Sequence, residues 1–360
     1  MTQLPLSFLD LTRIQGGETT GQTVQRSVEL AQRLETLGYL RVWFAEHHNS
    51  RGLASGSPDI MIAHIANHTS KIRVGSGGIM LPNHPPLRIA ENFRLLNAIF
   101  PDRIDLGMGR APGTDQKTAL ALRRNPEALA ADDYPELLAE LLAFDDGTIP
   151  SGHTFAGIVP IPADSTLPPI WLLGSSGFSG QLAAEVGLGY SFAAHINRQA
   201  AVSAMNLYRD RFEPSHRNAK PHAILAVSVL IGETPEHARE LYSIAEVQMY
   251  RLLTNQQGPA PTLEEAKAFP INDLQRFQMS GMMSNMFVGD AATVVADVRE
   301  LAEQTRADEV MITTMLADQA DRFRAVDQFH ETWFGNAPVA SSQPLSAASA
   351  APTPAPGVTG

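Results

Sequence analysis

Apolar runs with the length of β-strands alternate with amphipathic segments along most of this 360-residue chain. A strand that is buried on both faces appears as a short apolar or β-branched run. A surface helix instead places apolar residues every three to four positions. Eight runs fit the strand description: residues 4–11, 41–47, 72–81, 104–109, 170–173, 190–194, 223–231 and 309–315.

Helical periodicity fills the intervals between these runs. Residues 22–37 place Val24, Val28, Ala31 and Leu34 on one face, and Gly38 marks the end of the helix. Other helices are predicted over 58–69 with Ser57 as N-cap, 87–100, 118–143, from 180 to 186, up to 208, and from 235 onwards. Eight strands that are each followed by a helix predict an α/β fold, a closed (β/α)8 TIM barrel. An open doubly wound sheet is the alternative.

Two segments break the alternation. Residues 254–287 form an insertion near the seventh and eighth units that is rich in Pro, Gln and Met. This insertion is interpreted either as a surface segment with a short helix or as an apolar lid over the barrel mouth, carrying Phe277, Met279, Met282 and Met283. Residues 336–360 are almost entirely Ala, Pro, Ser, Gly, Val and Thr, which predicts a disordered tail. The barrel domain therefore spans residues 1–335.

Composition narrows the classes of partner. The formal net charge of −11 disfavours nucleic acid and anionic membrane surfaces as partners. The chain has no cysteine, which excludes disulfides, thiolate metal sites and cysteine nucleophiles. Residues 1–11 have neither a basic region nor a long apolar run, so no signal peptide or membrane span is predicted and a cytoplasmic location is expected.

Polar residues recur where predicted strands end, and the carboxyl ends of barrel strands form the active-site face. Five successive strand ends carry such residues: Glu46-His47-His48, Asn83-His84, Arg110, Ser175-Ser176-Gly177, and His195. This set favours a site for an anionic ligand that contains a ring system. His84 and His195 are therefore included among the candidate substrate-site residues.

The run 175–180 reads SSGFSG and opens a helix, where backbone N–H groups and the helix dipole favour a phosphate. Ser175, Ser176, Gly177 and Ser179 are the candidate binding residues, and Arg110 on the preceding strand end supplies a guanidinium. The alternatives are an ordinary N-cap turn and an ion pair between Arg110 and Asp115. A phosphate site here, after the fourth and fifth strands, departs from the usual position after strands seven and eight.

The adjacent histidines at 47 and 48 do not predict a metal site, because neighbouring strand residues point to opposite faces. One of the two faces the mouth and can donate or accept a proton near neutral pH. Alternation alone leaves open which one it is. A purely structural role is preferred for His48.

Three long gapless runs resemble the bacterial luciferase-like flavin monooxygenases: FAEHH at 44–48, RVGSGGIMLPNHPPLRIAE at 73–91 and FPDRIDLGMGRAPGTD at 100–115. The runs at 208–215 and 220–238 are similar to a single-chain subgroup of unassigned substrate. The resemblance covers residues 5 to 333. It implies the same barrel fold, with reduced FMN as cofactor, usually supplied by a separate flavin reductase, and O₂ as co-substrate.

The resemblance also assigns roles to individual positions. Arg110, Ser176 and Ser179 match phosphate-contacting positions, and His47 matches the catalytic histidine. His84 matches a second histidine near the site. Gly77 and Gly78 match a pair joined by a non-prolyl cis peptide under the flavin ring. The segment 254–287 matches a mobile loop, which favours the lid interpretation.

Departures from the family pattern limit what the resemblance implies. A reactive cysteine of luciferase corresponds to Gly109 here. A homodimer is expected rather than a heterodimer, and neither light emission nor a long-chain aldehyde substrate is implied. The expected activity is oxidation of a small organic substrate. The alternatives are a deazaflavin-dependent oxidoreductase on the same barrel and a non-catalytic flavin-binding protein.

Overall fold

The computed structural model describes residues 3–123 and 133–335. The predicted disordered tail, 336–360, therefore lies outside the described residues. The middle of the predicted helical region 118–143 lies outside them as well. The rest of the chain is built from parallel strands and surrounding helices.

All the strands pair in parallel, and their sheet closes on itself. The strands are β1 (Leu6–Asp10), β2 (Arg41–Phe44), β3 (Arg73–Ser76), β4 (Ile79–Met80), β5 (Ile104–Gly109), β6 (Ile170–Gly174), β7 (Gly189–Ala193), β8 (Ala223–Ile231), β9 (Met286–Gly289) and β10 (Glu309–Thr313). Pairing runs from β1 through β2, β3, β5, β6, β7 and β8 to β10, which pairs again with β1. The predicted (β/α)8 barrel is confirmed, because an open sheet would leave two unpaired edges.

The structure departs from the predicted strands in two places. The run 72–81 is two short strands, β3 and β4, because Gly77 and Gly78 leave the regular ladder between them. The strand β9 was not predicted. It pairs with the carboxyl half of β8 from Ser228 onwards, beyond the part of β8 that pairs with β7 and starting where the pairing with β10 ends. The wall of the barrel therefore has eight strand positions, called staves here. β3 and β4 together form one stave, and β9 is an additional strand outside the eight.

Helices surround the barrel and connect its strands. They are α1 (Thr20–Leu37), α2 (Pro58–Asn67), α3 (Pro86–Ile99), α4 (Gln116–Arg123), α5 (Tyr134–Asp146), α6 (Gly177–Glu185), α7 (Ala201–Asp210), α8 (Pro235–Leu253), α9 (Leu263–Ala268), α10 (Asp273–Met283), α11 (Ala291–Gln304) and α12 (Gln319–Phe334). Ser57 occupies the N-cap position of α2 as predicted, but its side chain makes no capping hydrogen bond. Within the described ranges, no helix has the length and apolar character needed to cross a bilayer.

Alternation along the strands divides the apolar residues between two cores. One face of each strand packs against the helices, as Phe8 and Val42 do. The other face fills the barrel interior. The interior cluster contains Leu9, Trp43, Ala45, Trp171, Ile224, Ala226 and Met311. The inward positions of β1, β2, β6, β8 and β10 are thereby fixed.

A buried ion network closes the amino-terminal end of the barrel. The guanidinium of Arg41 donates to Asp105 at 2.8 Å and to Glu309 at 2.8 Å, and all three side chains are almost fully buried. Arg41 also lies 4.8 Å from the centre of the Trp171 ring. Burial raises the pKa of both carboxyls, but the charge of Arg41 together with the hydrogen bonds that they accept outweighs it and leaves each pKa below its ordinary value. Paired charged groups therefore fill this end of the barrel.

Candidate active site

The inward face of β2 settles which histidine lies at the barrel mouth. Trp43 and Ala45 both belong to the interior cluster, so the next residue on that face is His47. Glu46 and His48 lie on the opposite face, where their side chains bond to each other at 2.9 Å. His47 is thus the histidine that faces the mouth. Alternation along the sequence alone had left open whether it was His47 or His48.

The imidazole of His47 is neutral at physiological pH. Its side chain is exposed, with Arg13, Glu46 and His195 close enough to affect its titration. Burial lowers its pKa to about 4, and the nearby cation of Arg13 acts in the same direction. The negative charge of Glu46 raises the pKa of His47 but does not cancel these two effects. His195 is close enough to His47 to affect its titration, so these two predicted site residues share one part of the mouth.

A buried carboxylate lies directly behind the mouth. Glu46 accepts four hydrogen bonds: from the Nε2 atoms of His48 and His84, each at 2.9 Å, from the Asn83 amide at 3.0 Å and from the Met80 backbone N–H at 2.8 Å. Burial raises the pKa of Glu46, but these hydrogen bonds and His84 outweigh it, so the pKa lies below its ordinary value. Glu46 therefore ties the end of β2 to the segment that follows β4.

This arrangement changes the interpretation of His84. Sequence reasoning placed His84 at the substrate site, whereas the structure directs its Nε2 atom to Glu46. The same reasoning named Glu46 only as part of the strand-end run Glu46-His47-His48, without a role of its own. Its partners Met80, Asn83 and His84 come from a different stave, so no local spacing in the sequence reveals them. In the described ranges, no group of three or more His, Cys, Asp or Glu side chains is arranged to hold a metal ion.

The Gly77–Gly78 segment lies beside this cluster, and its peptide bond is cis, as the resemblance implies. The Gly77 N–H donates to the carbonyl of Phe44 at 2.8 Å, and the N–H of Glu46 donates to the carbonyl of Gly78 at 3.2 Å. A Cβ on Gly77 would lie 3.0 Å from Trp43, and one on Gly78 would lie 2.8 Å from a backbone oxygen. Only glycine fits at these two close approaches.

The predicted phosphate-binding residues are brought together at the neighbouring strand ends. The exposed Arg110 stacks its guanidinium 4.3 Å from the centre of the Phe178 ring in the first turn of α6. Ser176 is the N-cap residue of α6, but its exposed side chain makes no capping hydrogen bond. Ser176 therefore holds the N-cap position of α6 without using its hydroxyl to cap the helix.

Neighbouring side chains hold the SSGFSG turn in place. Asn197 donates to the carbonyl of Ser175 at 3.2 Å, and the Tyr190 hydroxyl donates to the carbonyl of Ser176 at 3.1 Å. Ser179 is buried against the backbone of Gly174, where an added Cβ would lie 2.6 Å from the Ser179 hydroxyl. Ser179 thus supports the turn from beneath, whereas Ser176 faces solvent.

The segment 254–287 contacts loops on both sides of the mouth. At its beginning, Gln257 accepts a hydrogen bond from Ser50 at 2.7 Å, and Ala260 exchanges backbone hydrogen bonds with the loop after β1. At its end, the amide of Asn285 donates to the carbonyl of Ile196 at 2.8 Å. The segment therefore contacts the loops after β1 and β2 at its beginning and the loop after β7 at its end.

Helix α10, within this segment, has one buried side and one exposed side. Met279 and Met283 are buried in a small core with α8, so they do not line the mouth. Phe277 is 76% exposed and Met282 is 46% exposed. Much of the surface of these two large apolar side chains is therefore not covered by the rest of the protein. The lid interpretation requires such exposed apolar surface.

One residue at the mouth was missed altogether. Arg13 follows Leu9 and Leu11 at the spacing of the inward face of β1, and it affects the pKa of His47. The sequence contained a signal for this residue, because Arg13 continues the apolar period-two series of Leu9 and Leu11 past the end of β1.

Comparison with known proteins identifies relatives along nearly the whole chain. The family model described as luciferase-like monooxygenase matches residues 4–314. The protein YvbT of Bacillus subtilis (strain 168) is 41% identical over 91% of this chain and 96% of its own length. The N-acetyl-S-alkylcysteine monooxygenase of the same organism is 32% identical over 88% of this chain and 94% of its own length.

A solved structure agrees with this assignment. The crystal structure of apo-MsnO8 superposes with a TM-score of 0.82 at 34% identity, covering 92% of this chain and 98% of that one. The family supports an oxidoreductase of the monooxygenase type with a flavin-type cofactor. On the evidence of its barrel, its mouth residues and these relatives, the chain belongs to the luciferase-like monooxygenase family.

Proposed function

We propose that this protein is a monooxygenase that uses reduced FMN and O₂ to oxidise a small organic substrate. The observation that carries the proposal is the joint position of Arg110 and the amino terminus of α6 on the same barrel face as His47 and the Gly77–Gly78 segment. The relative that is named an N-acetyl-S-alkylcysteine monooxygenase supports oxygen insertion into a small molecule.

The residues after β5 and β6 have the properties that a phosphate requires. The amino terminus of α6 presents backbone N–H groups, and Ser176 adds a hydroxyl that does not cap the helix. Arg110 adds a cation that is held by Phe178. Gly177 leaves space, because an added Cβ would meet only Leu207, at 3.7 Å. These residues would hold the FMN phosphate, with Ser175 and Ser179 shaping the turn.

The small residues of the upper barrel would lie under the ring system. Gly77 and Gly78 leave no side chain above Trp43, and the inward positions Ala45 and Ala226 are also small. The flavin supplies the chemistry that activates O₂ when it is bound there. The protein's part is to position the ring, to exclude water and to manage protons.

His47 is the proposed proton-handling residue. Its ring faces the mouth, and its pKa of about 4 keeps the imidazole neutral and able to accept a proton at Nδ1 or Nε2 at pH 7. His195 lies close to it, with its Nδ1 atom 3.3 Å from the carbonyl of Ala226. We assign His47 the acid–base role and His195 a place in the wall of the substrate pocket.

The segment 254–287 is proposed to act as a lid over this pocket. Its two ends bond to loops on opposite sides of the mouth, so α10 is tethered at both ends. Phe277 and Met282 would supply apolar cover once a substrate is bound. Closure would exclude water from the reacting centre, which strengthens the interactions inside it.

The proposal includes a reductase and a second copy of the chain. Reduced FMN would come from a separate flavin reductase. The exposed apolar residues Ile60 of α2 and Leu95 and Ile99 of α3 offer a surface for a homodimer, since each is more than half exposed. Light scattering on the purified protein tests this part, and a monomeric mass at micromolar concentration would contradict it.

The His47→Ala variant tests the assigned chemistry. A substrate is first identified by oxygen uptake with reduced FMN among N-acetyl-S-alkylcysteines and related small molecules. We expect His47→Ala to lower substrate-dependent oxygen uptake by about 100-fold, the usual scale of general acid–base catalysis. Its affinity for reduced FMN should stay within about twofold of wild type, because His47 lies away from the phosphate residues.

A matched control separates this effect from loss of a surface histidine. His216 is largely exposed and lies outside the mouth, so His216→Ala should behave like wild type. Unchanged oxygen uptake in His47→Ala would refute the role assigned to this imidazole. Oxygen uptake that never depends on an added substrate would favour a non-catalytic flavin-binding protein.

A further inference from the structure

Arg13 lies at the carboxyl end of β1 with its side chain partly buried. Among the described residues, its guanidinium makes hydrogen bonds only with neutral groups. One terminal nitrogen donates to the Gln248 carbonyl oxygen at 3.1 Å, and the other lies 3.0 Å from the sulfur of Met315. The Nε atom is enclosed without a hydrogen-bond partner. Gln248 is itself held by the backbone carbonyl of Met315 at 2.8 Å, so the guanidinium has a fixed acceptor on one side.

Other buried arginines of this protein have direct carboxylate partners. Arg41 is paired with Asp105 at 2.8 Å, and Arg322 is paired with Asp10 at 2.8 Å. Among the described residues, no carboxylate lies within ion-pair distance of Arg13. Asp10 acts on Arg13 only at longer range, because its own oxygens are taken by Thr12, Ser27 and Arg322.

An unpaired guanidinium in this environment is destabilising for the protein on its own. Burial lowers the pKa of Arg13 to about 10, and Asp10 only partly opposes this effect. Desolvated charges in proteins are ordinarily paired, because an isolated one costs several kcal/mol. A side chain that remains cationic without a partner at the mouth of an active site is typical of one that binds an anionic ligand.

The barrel order separates Arg13 from the phosphate residues. The eight staves run β1, β2, β3 with β4, β5, β6, β7, β8 and β10, so β1 and β6 lie opposite each other. Arg13 follows β1, whereas the SSGFSG turn follows β6. Arg13 is therefore across the mouth from the turn, on the side where it acts on His47. A phosphate held at Arg110 cannot also pair with Arg13.

We infer that Arg13, oriented by Gln248, binds the carboxylate of the substrate, so that the substrates of this protein are small organic carboxylic acids. This inference rests on the proposed function, since it describes the substrate of the same site. The apolar inward residues Leu11, on the same strand end as Arg13, and Leu173, across the barrel, remain partly exposed and suit an apolar remainder of such a molecule. A carboxylate would also place a negative charge within electrostatic reach of His47.

The test compares carboxylates with their neutral amides. Flavin-free wild type, Arg13→Met and Arg13→Lys are titrated calorimetrically at pH 7 with benzoate and benzamide, octanoate and octanamide, and N-acetyl-S-benzyl-L-cysteine and its primary amide. Wild type should bind at least one carboxylate about tenfold more tightly than its amide. Arg13→Met should lose that preference and Arg13→Lys should keep part of it, which shows that the site still folds.

The control variant is Arg51→Met, which removes an exposed cation from the loop after β2 and should keep the full preference. The inference is overturned if no carboxylate binds more tightly than its amide, or if Arg13→Met keeps the preference. Reduced FMN is titrated in parallel. If Arg13→Met weakens only FMN binding, the anion at Arg13 belongs to the flavin and the inference is wrong. If wild type does not bind reduced FMN, the proposed function fails while the carboxylate result stands separately.

Discussion

At the scale of single residues, one buried carboxylate organises the candidate site. Glu46 accepts hydrogen bonds from two histidines, an asparagine and a backbone N–H, and its own N–H donates to Gly78. It thereby fixes the backbone on both sides of His47 and the Gly77–Gly78 segment. We interpret Glu46 as a positioning residue, since its side chain lies behind the mouth and not in it.

The Glu46→Gln variant tests this role. Replacing the carboxylate by an amide turns two acceptor oxygens into one and leaves at least one of the two imidazoles without its partner. We expect the free energy of unfolding to fall by about 2 kcal/mol, the scale of hydrogen bonds to a buried charged group. Urea unfolding measures the change, and Glu236→Gln, on an exposed turn of α8, serves as the control with an effect within about 0.5 kcal/mol.

A merely structural role for Glu46 would show only this loss of stability. A positioning role also predicts that the His47 imidazole resonance, followed by NMR, shifts in folded Glu46→Gln. An unchanged His47 resonance in a destabilised variant would contradict the positioning role.

How far the sequence predicted these residues depends on where their partners lie. Adjacent histidines can be assigned to opposite faces, and the inward face follows once Trp43 is known to be interior. The partners of Glu46 cannot be found in the same way, since Asn83 and His84 are brought to it by a different stave. Only the three-dimensional pairing of β2 with β3 provides that information.

At the scale of elements, the hydrophobic pattern predicts the positions of the barrel strands. It does not predict the short added strand β9 or the role of the segment 254–287. The predicted runs 104–109 and 223–231 coincide with β5 and β8, which are fully buried and bounded by polar residues. β9 was missed because it is four residues long and only alternate residues in it are fully buried. The lid segment remains a prediction, although its contacts with loops on both sides of the mouth support it.

The paired substitution Phe277→Ser and Met282→Ser tests the lid. Both side chains are exposed, so we expect the thermal unfolding midpoint to stay within about 2 °C of wild type. Loss of apolar cover should admit water, so the fraction of consumed O₂ recovered as oxidised substrate should fall severalfold. Oxygen uptake and product are measured together.

Leu274 provides a control on the same helix, since it is 65% exposed but is not one of the side chains proposed to cover the pocket. Leu274→Ser should leave the ratio of product to consumed O₂ unchanged. The lid interpretation fails if the double variant keeps the wild-type ratio as well.

At the scale of the whole molecule, the two ends of the barrel have different tasks. The amino-terminal end is closed by Arg41, Asp105 and Glu309, which are buried and paired. The carboxyl end collects small inward residues, a neutral histidine and the guanidinium groups of Arg13 and Arg110. This division of a stabilising end and a functional end was predictable in outline from strand counting. The closing ion network was not predicted, because its members come from three separate strands.

The central claim is that Arg110 and the amino terminus of α6 hold the phosphate of FMN. Titration of wild type and Arg110→Met with reduced FMN and with reduced riboflavin, followed by flavin absorbance under anaerobic conditions, tests this claim directly. We predict that wild type binds FMN at least about 100-fold more tightly than riboflavin and that Arg110→Met loses most of this difference. Equal affinity of wild type for the two flavins, or a phosphate preference that persists in Arg110→Met, would contradict the account.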